Sequence, residues 1–169
     1  QEYVEIGLSR STDGGQTWEK MRIPMAFGEY DGLPKAQNGV GDPAILVDKK
    51  TGTIWIVAAW THGMGNGRAW WNSQTGMDRN HTAQLMMVKS DDDGKTWSEP
   101  MNITEQVKDP SWYFLLQGPG RGISMEHWSL PASILAMTVF LMPVLYTVRI
   151  MEKPGISVHW HALIQLNLR

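Results

Sequence analysis

The sequence predicts an all-β chain of antiparallel hairpins. Three observations carry this. Short β-rich runs alternate with glycine- and aspartate-bearing turns, one eight-residue turn pattern occurs twice, and no stretch holds a sustained helical period.

The elements follow in order. Val4, Ile6 and Leu8 alternate with other residues, as in a strand with one buried face. Ala44-Ile45-Leu46-Val47 is a short apolar run closed by Asp48-Lys49-Lys50-Thr51-Gly52. Thr53 to Trp60 then resumes the β-rich pattern, making a hairpin. Leu85-Met86-Met87-Val88 leads into a turn at Asp91-Asp92-Asp93-Gly94, and Trp112 to Leu116 reads as a further buried strand. Nine tryptophans and seventeen glycines among 169 residues fit many short strands joined by tight turns.

Composition also excludes classes. A formal net charge of −2 offers no phosphate-binding excess, so no nucleic-acid partner is expected. With no cysteine there is neither a disulfide framework nor a cysteine zinc site. The opening at Gln1, inside a strand-like pattern, reads as the interior of a longer chain.

The repeat is S-x-D-x-G-x-T-W. Ser11, Asp13, Gly15, Thr17 and Trp18 form one copy; Ser90, Asp92, Gly94, Thr96 and Trp97 form the other. Each copy follows a basic residue, Arg10 or Lys89. The aspartate is expected to accept backbone N–H groups two residues on, the glycine to take a positive φ, the threonine to re-enter a strand and the tryptophan to lie buried beneath the turn. A calcium loop is the rival reading of Asp91-Asp92-Asp93, but the spaced ligands and closing glutamate of an EF-hand are missing, so no metal is expected.

Two such turns in an all-β chain resemble the Asp-boxes of sialidases, which stand at hairpin tips of a β-propeller away from the active face. Gly41 to Asp48, Ala59 to Gly63 and Gln117 to Ile123 are also similar to bacterial exo-α-sialidases. The resemblance covers about residues 1–125 and implies about two blades of a six-bladed propeller. Such an incomplete propeller has unpaired sheet edges, an aggregation liability. It also implies removal of terminal sialic acid with retention, by a tyrosine nucleophile with a glutamate, an acid/base aspartate and three carboxylate-clamping arginines. No cofactor is implied. The partners would be sialylated glycans, in a secreted or periplasmic setting. The rival is a non-catalytic, carbohydrate-binding Asp-box module.

The catalytic residues have no counterparts here. Arg22-Ile23-Pro24 resembles the clamp motif but follows an Asp-box, so it reads as a blade strand, and Tyr3, Tyr30, Tyr113 and Tyr146 lack nucleophile context. The candidates are substrate-binding ones. By the resemblance, Asp42 can meet a sugar hydroxyl; capping a turn before Pro43 is the alternative. Trp70 and Trp71, beside the glycine-rich loop 61–69, offer aromatic faces to an N-acetyl sugar, with Trp60 read as core. Arg121 faces substrate or serves a turn. His62 and His81 read as hydrogen-bonded loop residues without zinc spacing.

Residues 126–169 differ sharply. They hold one glycine, Gly155, and no aspartate, whereas residues 1–125 hold the other sixteen glycines and every aspartate. Leu130 to Tyr146 is apolar enough to suggest a membrane helix, but contains Pro131 and Pro143, so membrane association is not expected. Reading the third base of each codon with the first two of the next permits S-K-D-H-G-K-T-W from Thr147 to Gly155, with its glycine forced by Met151-Glu152. The expectation is therefore a partial propeller over 1–125 and an out-of-frame tail of no reliable fold over 126–169.

Overall fold

The computed structural model describes residues 3–64, 69–124, 128–135, 141–150 and 156–161; side chains at 69–70 and from 128 onward fall outside the description. Within it, strands dominate and two four-residue helices punctuate the loops. Strands β1 (Ile6–Leu8) and β2 (Arg22–Met25) form an antiparallel ribbon around the first Asp-box. Strands β3 (Val40–Val47), β4 (Ile54–Trp60), β5 (Gln84–Ser90) and β6 (Met101–Asn102) form an antiparallel meander in the order β6-β5-β4-β3. The second Asp-box joins β5 to β6. Strand β7 (Phe114–Gln117) follows, and β8 (Gly120–Arg121) pairs in parallel with β3.

The meander is buried on both faces. Along β4, Val57 and Ala59 enter one apolar cluster with Leu85, Met87 and Leu115, while Ile56, Ala58 and Trp60 enter a second with Ile6, Met25, Met86 and Val88. Successive strand residues point to opposite faces, so two-sided burial needs an unbroken apolar run, as Ile54 to Trp60 supplies.

Strand β3 changes parity part-way. Gly41 pairs with Ala59 and Ala44 with Val57, so Asp42 and Pro43 stand opposite Ala58 alone. This bulge turns Ala44 and Leu46 toward the first cluster although Val40, an even position too, faces the second.

The two Asp-boxes have matching hydrogen bonds. In the first, Ser11 Oγ donates to Asp13 Oδ1 at 2.8 Å, and the Thr17 N–H and hydroxyl donate to the same carboxylate at 2.9 and 2.6 Å. The same three bonds in the second are 2.8, 2.9 and 2.6 Å, to Asp92 from Ser90 and Thr96. The carboxylate thus clamps the threonine four residues on, not an N–H two residues on as expected; the serine hydroxyl takes the nearer N–H groups, including Gly15 and Gly94 at 2.8 Å each. These donors, the threonine hydroxyl foremost, pull Asp13 down to about 2 and hold Asp92 well below the ordinary carboxylate value. Gly15 and Gly94 have φ of 89° and 77°, as expected, and Asp93 at 59° takes the left-handed place that Gly14 fills in the first box.

The tryptophans differ. Trp97 packs against the second cluster, but Trp18 is 64 % exposed, against the expectation of burial. A two-stranded ribbon has no third strand to floor its turn. The ribbon instead docks on the second box: Arg10 donates to the Asp93 carbonyl at 2.7 Å, and Arg22 to those of Gly94 and Lys95 at 3.2 Å each. Arg22 is therefore a strand residue with a structural bond. Asp91 of the triplet accepts from Lys89 and Thr53, each at 2.7 Å.

The apolar stretch beyond residue 125 is described as strands β9 (Ile123–Ser124, just ahead of it), β10 (Trp128–Leu135), β11 (Leu141–Ile150) and β12 (Ile156–His161), in the sheet order β12-β11-β10-β7 with β9 also on β10. Among the described residues no helix is long and apolar enough to cross a membrane.

The unequal tryptophans make a prediction. In this chain Trp97→Ala should cost about 2 kcal/mol and Trp18→Ala less than about 0.5 kcal/mol in urea unfolding. Equal losses would contradict the difference in packing.

Candidate functional site

The meander has two chemically distinct ends. At one, the β3–β4 turn and the second Asp-box meet through Thr53 and Asp91. At the other, the bulge at Asp42 lies beside Trp60 and Gln84, since Val40 pairs with Trp60 and Trp60 with Gln84. The candidate site is at this second end.

Asp42 is exposed, and its φ of 53° is left-handed for a residue with a side chain. Such backbone costs about 1–3 kcal/mol and persists only where its surroundings impose it. Pro43 favours extended backbone in the residue before it, so the left-handed Asp42 depends all the more on its surroundings. Among the described residues the Asp42 carboxylate has no hydrogen-bond or ion-pair partner. Its carbonyl accepts the side-chain N–H of Gln117, which is fully buried.

Beside the bulge, Trp60 is buried and stacks on Phe27 with ring centroids 4.5 Å apart, and Tyr30 meets it edge-on at 5.3 Å. His62, 1 % exposed, shares a 2.6 Å hydrogen bond between Nδ1 and Asn38 Oδ1, and its Nε2 lies 3.8 Å from Asp31. Arg79 closes the cluster by pairing with Asp31 at 2.5 Å over the Tyr30 ring. Burial, with the Arg79 charge adding to it and Asp31 opposing, holds His62 below its ordinary pKa.

Trp71 belongs to helix α1 (Ala69–Asn72) and is 68 % exposed. It lines a cleft of about 490 Å³ with Met64, Asn72, His81 and Tyr113. Trp70 is in the same helix, its side chain outside the described residues. The cleft wall is tied down by Lys108, whose ammonium donates to the carbonyls of Gly76 and Trp112 at 2.6 Å each; burial lowers its pKa to about 8.

Arg121 is elsewhere. It pairs with Ile45, and the cleft that it lines includes Val47 and Lys49, toward the Asp-box end. Helix α1 with Trp71 lies in the connection that leaves β4 at the Asp42 end, and Arg121, paired with Ile45, stands three positions along β3 from Asp42. His81 bonds Asp78 at 3.0 Å. Among the described residues no three His, Cys, Asp or Glu side chains gather as metal ligands.

A BNR repeat-like domain model matches residues 1–162. The chain belongs to the BNR repeat-like family. A sialidase of Bacteroides fragilis is 75 % identical over 130 residues, covering 77 % of this chain and 24 % of that protein. The solved Hadza microbial sialidase Hz136 superposes with a TM-score of 0.87 at 58 % identity, over 95 % of this chain and 31 % of that one. A Trypanosoma rangeli sialidase solved with 2,3-difluorosialic acid as a covalent intermediate shares the fold, with a TM-score of 0.68 at 17 % identity over 95 % of this chain and 26 % of that one. The chain thus spans about a quarter to a third of the length of these relatives. The sialidase-family resemblance read from the Asp-boxes is borne out, as is the partial-propeller fold.

For this BNR repeat-like chain, several site residues carry no sequence signal of their own. Asp31 and Arg79 are 48 positions apart, and Asn38 gives no sign that it will face a buried histidine. Gln117 had one readable sign, a lone amide ending the apolar run Phe114-Leu115-Leu116.

His62 supplies a pH test. Its pKa is lowered in the folded state, so its contribution is complete above the unfolded value near 6.5 and is lost as pH falls toward the folded value. Stability to urea should therefore drop on acidification from pH 7 to 5.5, and His62→Gln should flatten that drop. An unchanged slope in the variant would count against the buried neutral histidine.

Proposed function

We propose that this chain is the part of an exo-α-sialidase that builds one side of its sugar pocket. The whole enzyme would remove terminal sialic acid, with retention, from glycoproteins, glycolipids and oligosaccharides in a secreted or periplasmic setting. The observation that carries the reading is Asp42: an exposed carboxylate, without a partner among the described residues, on a left-handed bulge at the meander end away from the second Asp-box, the end from which the connection bearing Trp71 leaves β4. A carboxylate so placed accepts a sugar hydroxyl, and the exposed Trp71 face suits the apolar side of an N-acetyl sugar. The tyrosine, glutamate, acid/base aspartate and arginine clamp implied by the resemblance would come from other parts of the enzyme.

Two results test this. Residues 1–169 alone should release no sialic acid from a fluorogenic sialoside, and any turnover by the purified chain would refute that. In the full-length enzyme, Asp42→Asn should raise KM about tenfold, the worth of one hydrogen bond to a charged group, with kcat changed less. A KM equal to wild type would remove Asp42 from the pocket.

We also propose that residues from about 126 onward are read out of frame. The support is the loss of glycine and aspartate there, together with the permitted third Asp-box. The 130-residue extent of the 75 % identity fits this reading. Apolar and β-branched residues favour strands whatever their origin, so β10 to β12 are compatible with it. Sequencing the coding DNA should find wobble bases that spell the box between Thr147 and Gly155. Bases that do not spell it would return the tail to the domain of residues 1–125, in line with the family match through 162.

A further inference from the structure

Gln117 ends β7, is 0 % exposed, and reaches across to strand β3. Its side-chain nitrogen donates to the Asp42 carbonyl, and its side-chain oxygen has no partner among the described residues. The orientation of the amide is dictated by chemistry, because a carbonyl can only accept and so must face the NH2 group. Burying an amide with one half unsatisfied is unfavourable, and an apolar residue would suit the surrounding run better. The same carbonyl belongs to the residue with left-handed backbone, between Gly41 and Pro43, where strand pairing is broken and the ladder gives no support. The amide stands in for the missing ladder bond.

We infer that Gln117 is the positioning residue for Asp42. Its amide holds the bulge in the left-handed conformation and thereby presents the carboxylate outward to a sugar hydroxyl. The inference rests on the sugar-pocket reading of Asp42. It places a determinant of substrate affinity 75 positions from the group that it controls.

The experiment uses the full-length enzyme and a fluorogenic sialoside, with Gln117→Glu as the variant. A glutamate is isosteric, but when ionised it cannot donate to the Asp42 carbonyl; when protonated it can. At pH 7 the variant should raise KM about tenfold, and its KM relative to wild type should recover as pH falls and the new carboxyl protonates. Asp42→Asn combined with Gln117→Glu should be no worse than Asp42→Asn alone, because both act through one contact. Gln117→Leu, which donates at no pH, should show no recovery. A crystal structure of Gln117→Glu at pH 7 should show Asp42 out of its left-handed conformation.

Wild-type KM for Gln117→Glu at pH 7, losses that add to those of Asp42→Asn, or an unmoved Asp42 in that crystal structure would each overturn the inference. If Asp42→Asn alone leaves KM unchanged, the pocket reading fails, and the crystal structure still decides whether Gln117 holds the bulge. A variant that does not fold is recognised by its lost thermal transition; Gln117→Asn, which shortens the reach but keeps the donor, then takes its place. It should raise KM without pH-dependent recovery, and wild-type KM for it would overturn the inference.

Discussion

Everything in this chain is arranged around a sheet that must be apolar on both faces. Strand β4 is paired on both edges, with β3 and β5, and its alternate side chains enter two separate clusters. A sheet with one wet face can alternate apolar and polar residues, whereas one covered on both sides cannot. Polar chemistry is therefore driven to the ends of the meander, where strands stop and turns begin. One end carries the Asp-box and the other carries Asp42, Trp60 and His62. Separation of the Asp-box end from the end carrying Asp42 follows directly from this two-sided burial.

The bulge at Asp42 and Pro43 is where the two demands meet. It breaks the β3–β4 ladder, which frees backbone groups, and it shifts the parity of β3, which sends Ala44 and Leu46 to the face opposite that of Val40. The exposed aspartate and the packing of the strand behind it are consequences of the same extra residue. A local irregularity of this kind is common near functional sites because it re-aims side chains without dismantling the sheet.

The all-β class, the β3–β4 hairpin and both Asp-boxes were legible because each rests on local chemistry: apolar runs, a left-handed glycine, a carboxylate beside donors in one turn. Asp42 could be singled out, but its bulge could not, since Gly41-Asp42-Pro43 reads equally well as a strand start. The fate of Trp18 depends on how many strands lie beneath its turn, and the same motif with Trp97 has a different answer. Asp31 with Arg79, and Gln117 with Asp42, are pairings created by topology. No property of either partner announces the other. The cleft around Trp71 was anticipated only as an aromatic rim, and the Lys108 anchor that ties its wall to the neighbouring loop depends on burial that composition does not reveal.

The hydrogen bonding of the two ends gives the chain a direction of acid sensitivity. Asp13 stays ionised down to about pH 2, and Asp92 is held low by the same donors, so the turns keep their clamps through mild acid. Each carboxylate's contribution is whole above the ordinary value of 3.8 and fades only below it. His62, buried against Asn38 and near Asp31, has its pKa lowered by burial, and its protonation disfavours the folded state on acidification from neutral pH. Acidification should therefore loosen the end around His62 while the hairpin tips remain latched. The two ends of the meander thus answer to acid in sequence, the end around His62 first and the hairpin tips last.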